Sequence, residues 1–222
     1  MIEFSHVYKY FKKDWAALED ISFKIQKGDF VFLTGVSGSG KSTLLKLIYM
    51  EEKPTQGEIF VDNLSSATIK KNDIPFLRRK IGVIFQDFKL LEDRNVYENI
   101  AFGLEVTGGS RRLVREKTLE ILQKLRLGHR RNAFPYQLSG GEKQRVAIGR
   151  ALVREPFILL ADEPTGNIDP ETSKDILKLM KGINAEGTAV LMATHDIDSV
   201  SYTHLRAHET PEHLVCRLLL EK

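Results

Sequence analysis

One short stretch of this chain constrains its fold more than any other. Residues 35–42 read GVSGSGKS, which matches the phosphate-binding loop pattern G-x-x-x-x-G-K-[ST]. The glycines let backbone N–H groups point at a phosphate, and the helix that follows presents the positive end of its dipole. An apolar run at 30–33 precedes the loop, and a helical pattern at 41–49 follows it. The sequence therefore predicts a buried strand, a phosphate-binding turn and a helix.

Strand-like and helix-like segments alternate along the rest of the chain. The predicted strands are 2–8, 17–25, 30–33, 58–62, 81–85, 157–161 and 189–193. A turn is predicted at 54–57 and a helix at 171–181. Between about 96 and 154 only helical periodicity is present, so a helical lobe of about 60 residues is expected to interrupt an α/β sheet.

The bulk composition excludes several classes of function. The chain has 222 residues and a net charge of +3, which is too small to indicate nucleic-acid binding. The single cysteine, Cys216, excludes an internal disulfide framework and is typical of a reducing compartment. The first residues lack the pattern of a secretory signal, and no apolar run approaches the roughly 18 residues that span a bilayer. We therefore expect a cytoplasmic protein in which any membrane role depends on a partner.

Two acidic residues, Asp162 and Glu163, follow the apolar run 157–161. A strand ending beside the phosphate-binding loop would bring Asp162 within reach of a Mg²⁺ ion, with the Ser42 hydroxyl as a second ligand. Glu163 would then polarise the attacking water as a general base. Lys41 would reach the β and γ phosphates. The pattern predicts hydrolysis of a nucleoside triphosphate.

A second stretch, LSGGEKQ at 138–144, has the features of another anion site. Ser139, Gly140 and Gly141 at a helix start supply a hydroxyl donor and open backbone amides. One nucleotide cannot easily use both anion sites within one protomer. A head-to-tail pair of chains can, with Ser139 of one chain capping the γ-phosphate bound by Lys41 of the other, and symmetry then makes two equivalent sites.

Together these motifs resemble the ATP-binding cassette (ABC) ATPases. The resemblance implies an α/β fold of the P-loop NTPase class, with a RecA-like core, an antiparallel β subdomain and a helical signature subdomain. It implies that Gln86 is the Q-loop residue, which contacts Mg²⁺ or water and links the site to a partner. Asp169, in the stretch GNID, matches the D-loop at the dimer seam, and His195 matches the histidine that contacts the γ-phosphate.

Phe11 falls where the family has an aromatic residue that stacks on adenine, although Tyr8 and Tyr10 lie close by and a core aromatic fits the pattern equally. The residues expected to bind nucleotide are Phe11, Gly35, Ser37, Gly38, Ser39, Gly40, Lys41, Ser42, Thr43, Ser139, Gly140, Gly141 and Asp169. The expected metal ligands are Ser42, Gln86 and Asp162. The expected catalytic residues are Glu163, His195 and Gln86.

A finer resemblance is carried by the stretches FQD at 85–87, DRNVYEN at 93–99, LLADEPTGN at 159–167 and LMATHD at 191–196. These are similar to the bacterial cell-division ATP-binding proteins of the FtsE type. The resemblance implies ATP and Mg²⁺ as cofactors, a homodimer upon ATP binding, and an integral membrane partner of the FtsX type. It places the chain on the inner face of the cell membrane, where ATP turnover would activate cell-wall hydrolases at the division site.

Two alternatives to the cell-division hypothesis remain at this point. Lipoprotein-release and macrolide-export ATPases share the ADEPTGN stretch and the same chemistry. A nucleotide-gated scaffold that hydrolyses little ATP is an alternative of another class.

The expected organisation is a single ABC ATPase domain over 1–222. Residues 1–87 and 155–198 are expected to form the nucleotide-binding core with the β subdomain, and 88–154 the helical subdomain. The resemblance ends near residue 198. The tail 199–222 is expected to pack loosely outside the core sheet, with Leu214, Val215, Leu218 and Leu219 on one short helical face.

Overall fold

The computed structural model describes residues 1–12 and 15–195, together with the backbone of 218–219. The strands are β1 Ile2–Lys12, β2 Trp15–Ile25, β3 Phe30–Thr34, β4 Gln56–Val61, β5 Leu64–Ser65, β6 Ile81–Ile84, β7 Ile158–Asp162, β8 Ala189–Thr194 and β9 Leu218–Leu219. The helices are α1 Lys41–Ile48, α2 Ile74–Arg79, α3 Val96–Glu105, α4 Arg111–Lys124, α5 Gly140–Leu152 and α6 Pro170–Ala185. Short 3-10 turns occur at Gly128–Arg130 and Pro135–Gln137.

A parallel sheet with the strand order β6-β7-β8-β3-β9 forms the centre of the molecule. Alternate residues of β3 face two hydrophobic clusters: Val31 and Leu33 pack into one, and Phe30 and Phe32 into the other. Strands buried on both faces read as solid apolar runs, which is why the sequence identifies them well.

The parallel arrangement brings the carboxyl ends of four strands to one edge of the sheet. Strand β3 leads into the phosphate-binding loop, and β6 leads to Gln86. Strand β7 ends at Asp162, and His195 follows β8 directly. Ligands of open α/β sheets bind at this edge, so the topology gathers residues that are distant in the sequence.

A second, antiparallel sheet has the order β2-β1-β4-β5. Its apolar residues, including Phe4 and Ile59, join the same hydrophobic cluster as Leu44 of α1. The β1–β2 pair, in which Tyr10 lies opposite Ala16, carries Phe11 near its end. The sheet therefore lies against the helix that follows the phosphate-binding loop.

Helices α3, α4 and α5 fill the stretch predicted to be helical, and each begins at a polar cap. The side chains of Asn95, Ser110 and Ser139 accept hydrogen bonds from backbone N–H groups in the first turns. The helical prediction for 96–154 is confirmed.

Some predicted elements differ from the structure. Helix α2 and strand β5 were not predicted, because both are short and α2 buries only Leu77. Gln56 and Gly57 belong to β4 and not to a turn, since β4 continues to pair with β1 as far as Gln56 opposite Tyr8.

The tail prediction is wrong at Leu218 and Leu219. These residues form β9, which pairs in parallel with Leu33 and Thr34 of β3, so the core sheet does not end at His195. Strand β3 pairs with β8 along one edge only. The backbone N–H and C=O groups of its other edge need hydrogen-bond partners, which a further strand supplies and a helix does not. The remaining residues of the tail, including Leu214 and Val215, lie outside the described part of the chain.

Candidate nucleotide site

The phosphate-binding loop connects β3 to α1 through a backbone that requires glycine. Gly40 has φ +97°, a conformation that other L-residues adopt only at a cost. A Cβ atom at this position would lie 2.4 Å from the carbonyl oxygen of Ala17. Gly40 at the N-cap has no side chain to cap α1, which leaves the first N–H groups of the helix suited to an anion.

A cavity of about 290 Å³ opens at this loop. Its lining consists of Phe11, Ala17, Ser37, Gly38, Gly40, Lys41, Ser42, Thr43, Gln86 and Glu163. Most of the predicted nucleotide-binding residues of the loop therefore lie around one space. Gly35 is near the cavity through its carbonyl oxygen, which accepts a hydrogen bond from Lys41, and Ser39 is buried beneath the surface.

Lys41 lies at the base of this cavity with only 5% of its surface exposed. Its Nζ donates to the carbonyl oxygens of Gly35, at 2.7 Å, and Val36, at 3.0 Å. The same Nζ lies 4.0 Å from Oε1 of Glu163. The hydroxyl of Ser39 is buried and has no hydrogen-bond partner among the described residues. The loop thus keeps a cation and a polar atom in a site suited to an anionic ligand.

Asp162, at the end of β7, contacts the loop through Ser42. The Ser42 hydroxyl lies close enough to the Asp162 carboxyl to influence its pKa. Burial raises the pKa of Asp162, the polar contact with Ser42 opposes this rise, and the neighbouring Glu163 adds to it. A hydroxyl, a partly buried carboxylate and the nearby amide of Gln86 are hard oxygen donors, the ligand type that Mg²⁺ prefers.

Glu163 is held between two cationic or potentially cationic groups. Its Oε1 lies 3.1 Å from Nδ1 of His195, besides its approach to Lys41. The backbone of Glu163 has φ +45°, and its N–H donates to the carbonyl oxygen of Ala193 at 2.9 Å. Such a conformation costs free energy in a non-glycine residue and is concentrated at functional sites. The ends of strands β7 and β8 thereby orient the Glu163 carboxylate toward the cavity.

Asn167 makes a contact near the site that the sequence did not predict. Its Nδ2 donates to the carbonyl oxygen of Gln86 at 3.0 Å, which joins the stretch 166–169 to the Gln86 segment. The stretch was singled out only for Asp169, which is exposed and caps α6 by accepting from the N–H of Thr172. The position of Asn167 within that motif was the available signal.

Ser139, Gly140 and Gly141 do not line the cavity of their own chain. Ser139 is exposed, and it forms a capping box with Glu142 at the start of α5. A Cβ atom at Gly141 would lie 2.3 Å from Cγ2 of Thr172, so α5 and α6 start in close contact. Within one protomer, the predicted second anion site therefore lies outside the cavity at the phosphate-binding loop.

Phe11 lines the cavity and is 44% exposed. Tyr8 and Tyr10 stack on each other, with ring centroids 6.4 Å apart, and neither lines the cavity. Among the three aromatic candidates, the geometry therefore favours Phe11 for contact with a base.

Comparison with known proteins identifies the family of this chain. The ABC transporter family model matches residues 18–166. This chain belongs to that family. The cell division ATP-binding protein FtsE of Bacillus subtilis (strain 168) is 48% identical over 217 residues, which are 98% of this chain and 95% of that protein. The protein of the same name from Escherichia coli (strain K12) is 49% identical over 201 residues, which are 90% of each chain.

Solved structures agree with this assignment. A dimeric ATP-binding cassette in a post-hydrolysis state, bound to ADP and Pi, has a TM-score of 0.80 and 38% identity, and the match covers 90% of both chains. The predicted P-loop α/β fold and the prediction of an FtsE-like ABC ATPase are confirmed.

The Bacillus subtilis match also corrects one prediction. It spans 217 of the 222 residues and so reaches into 199–222, where the sequence analysis had the resemblance end. Among the described residues, no helix combines the length and apolar character that crossing a bilayer requires.

Proposed function

We propose that this chain is the ATP-hydrolysing subunit of a membrane complex in bacterial cell division. In this proposal it acts on an integral membrane partner of the FtsX type from the inner face of the membrane. The observation that carries the chemistry is the position of Glu163, between Lys41 and His195 at the rim of the loop cavity. The cell-division role is supported by the near-full-length similarity to FtsE proteins.

Each residue at the cavity has a chemical task in this proposal. Lys41 would exchange its carbonyl contacts for the β and γ phosphate oxygens of ATP. Glu163 would take the proton of the water that attacks the γ-phosphorus, as the bond to the ADP oxygen breaks. His195 would hold the Glu163 carboxylate in place and contact the γ-phosphate. Phe11 would stack on adenine.

Ser42, Asp162 and Gln86 fit a magnesium site. The effect of the Ser42 hydroxyl on the pKa of Asp162 supports this proposal, because it requires the two side chains to lie close together. The ion would neutralise negative charge on the phosphate oxygens. The contribution of the chain itself is to fix these oxygens at the end of β7 and the start of α1.

The exposed Ser139 supports a head-to-tail homodimer. Its hydroxyl and the first turn of α5 form an anion site that the cavity of the same chain does not use. A second copy would place this site over the γ-phosphate bound at Lys41, and Asp169 would lie at the seam. The dimeric cassette with ADP and Pi is consistent with this arrangement.

A second cavity, of about 390 Å³, supports coupling to a partner. Its apolar lining includes Phe85, directly before Gln86, and Val106, which is 55% exposed. Arg150 lines this cavity and also donates to the carbonyl oxygen of Phe88 at 2.9 Å. We propose that a cytoplasmic segment of the membrane partner, with acidic and apolar side chains, binds here and senses the state of the Gln86 segment.

Phosphate release by the full-length chain tests this function. With MgATP and the partner reconstituted in vesicles, we expect steady release that the Lys41→Ala variant abolishes. Binding of ATP with negligible release, even with the partner, would favour the scaffold alternative. Co-purification of the tagged chain from its native membrane separates a division partner from a lipoprotein-release or macrolide-export partner.

A further inference from the structure

Lys9 on β1 is a buried lysine that the proposed chemistry does not use. Only 8% of its surface is exposed. Its Nζ lies 2.7 Å from Oε2 of Glu52 and 2.9 Å from the carbonyl oxygen of Lys53. The same Nζ lies over the ring of Phe11, 4.9 Å from its centroid. One ammonium group therefore contacts both a fixed pair of acceptors and the aromatic ring at the nucleotide cavity.

The acceptors belong to the segment that follows the phosphate-binding helix. Helix α1 ends at Ile48, and Glu52 and Lys53 come a few residues later. Backbone contacts strengthen this junction, because the N–H of Thr55 donates to the carbonyl oxygen of Tyr8 at 2.8 Å. The Lys9 contacts thus connect the phosphate-binding part of the site to the strand that carries Phe11.

The ring of Phe11 is 44% exposed near the end of a strand pair. A cation within about 6 Å of a ring face attracts it electrostatically. Because Glu52 and the carbonyl of Lys53 hold the ammonium in place, the ring is attracted to a fixed point. Stability alone does not explain the pair, since replacing a buried ion pair by well-packed apolar groups of similar volume is often neutral or stabilising.

We infer that Lys9 is a positioning residue for the nucleobase: it holds Phe11 in the orientation that stacks on adenine and fixes the distance between the base and phosphate subsites. This inference rests on the proposed function, in which Phe11 contacts adenine. Lys9 itself touches neither the phosphates nor the reacting water.

The test compares ATP with inorganic tripolyphosphate, which occupies the phosphate subsite alone. The Lys9→Met variant keeps an apolar stem of similar length but removes the charge. Partial loss of base–aromatic stacking should weaken ATP binding roughly three- to tenfold. Tripolyphosphate binding should stay unchanged, and KM for ATP should rise while kcat stays nearly constant. Lys24→Met is the matched control, because Lys24 forms an exposed ion pair with Glu3 in the same sheet and should change neither affinity.

A double-mutant cycle with Phe11→Ala completes the test. If Lys9 acts through the ring, Lys9→Met should have little further effect on ATP affinity in the Phe11→Ala background. Equal weakening of ATP and tripolyphosphate, or full additivity of the two substitutions, would overturn the positioning role. If the unchanged chain binds neither ligand, the proposed function itself fails and the role of Lys9 with it. If it binds both and Lys9→Met leaves their ratio of affinities unaltered, only the inference about Lys9 fails.

Discussion

Nδ1 of His195 lies 3.1 Å from Oε1 of Glu163, and this contact joins the ends of two neighbouring parallel strands. Glu163 is 17% exposed and His195 58% exposed, so the carboxylate is enclosed while the imidazole reaches toward the surface. Oε1 of Glu163 is also the atom that approaches Lys41. One carboxylate oxygen therefore lies near both Lys41, the proposed phosphate ligand, and the histidine after β8.

Replacing Glu163 with glutamine should separate ATP binding from hydrolysis. The amide keeps the shape of the side chain but cannot accept the proton of the attacking water. Phosphate release should fall roughly 10²–10⁴-fold, the range for lost acid–base catalysis, while ATP affinity persists. Size exclusion with ATP should then reveal a trapped dimer. Turnover of Glu163→Gln at the rate of the unchanged chain would refute the role of this residue.

Replacing His195 with alanine should impair the same step through the same carboxylate. Loss of one polar contact in the transition state should lower kcat by about 10²–10³-fold. Because His195 and Glu163 share one contact, the two substitutions should be far from additive. Stopped-flow phosphate release from the single and double variants measures this coupling. Full additivity would indicate that the 3.1 Å contact has no part in hydrolysis.

Replacing Gly141 with alanine should destabilise the junction of α5 and α6. The new Cβ would meet Cγ2 of Thr172 at 2.3 Å, and overpacking of this kind costs about 1–3 kcal/mol. Thr172→Ser removes that methyl group and keeps the hydroxyl and the backbone N–H that donates to Asp169, so the double variant should recover most of the loss.

Thermal unfolding without nucleotide measures this prediction. Gly182→Ala is the control, since nothing lies within 4 Å of a Cβ at that helical position. No recovery of the melting temperature in the Gly141→Ala, Thr172→Ser double variant would show that the steric account is incorrect.

The charge of Glu142 should stabilise the chain in a pH-dependent way. Burial raises the pKa of Glu142, but hydrogen bonds from Ser139 and Arg130 outweigh it and hold the net pKa below the ordinary value of 4.5. A carboxyl whose folded-state pKa is lowered stabilises the fold above its unfolded-state pKa, and this stabilisation is lost as the pH falls through the folded-state value. Glu142→Gln should therefore lower the melting temperature near pH 7, and the difference should shrink below about pH 4.5.

The exposed pair of Arg112 and Glu116 provides the comparison for Glu142. Glu116 is 59% exposed, so Glu116→Gln should change the melting temperature little at any pH. A deficit of Glu142→Gln that stays constant from pH 7 to pH 3 would contradict the pKa argument.

Much of the site could be predicted because parallel strands end at a common edge. Asp162 ends β7, Glu163 follows it, and His195 follows β8, so recognising each strand was enough to bring these side chains together. The capping of α5 by Ser139 was likewise predictable from its residue type.

The remaining features depend on tertiary contacts that no local pattern encodes. The positive φ of Glu163 and the contact of Lys9 with Glu52 arise from segments far apart in the chain. Helix α2 buries a single residue, Leu77, and therefore lacks a periodic signal. Leu218 and Leu219 were predicted to lie on a helical face. Their strand conformation depends on pairing with the edge of β3, which the local sequence does not encode.

If hydrolysis occurs at sites shared between two chains, two differently damaged chains should restore one intact site when they are mixed. Lys41→Ala damages the phosphate subsite, and Ser139→Arg damages the facing anion site, so either variant alone has two defective sites. In a mixed dimer, one site carries both substitutions and the other carries neither.

Sedimentation velocity with ATP measures this outcome, with circular dichroism melting of each variant as the check on folding. Neither variant should dimerise alone, and the mixture should regain ATP-dependent dimers and phosphate release. A mixture that remains monomeric and inactive, although both variants are folded, would contradict the head-to-tail arrangement.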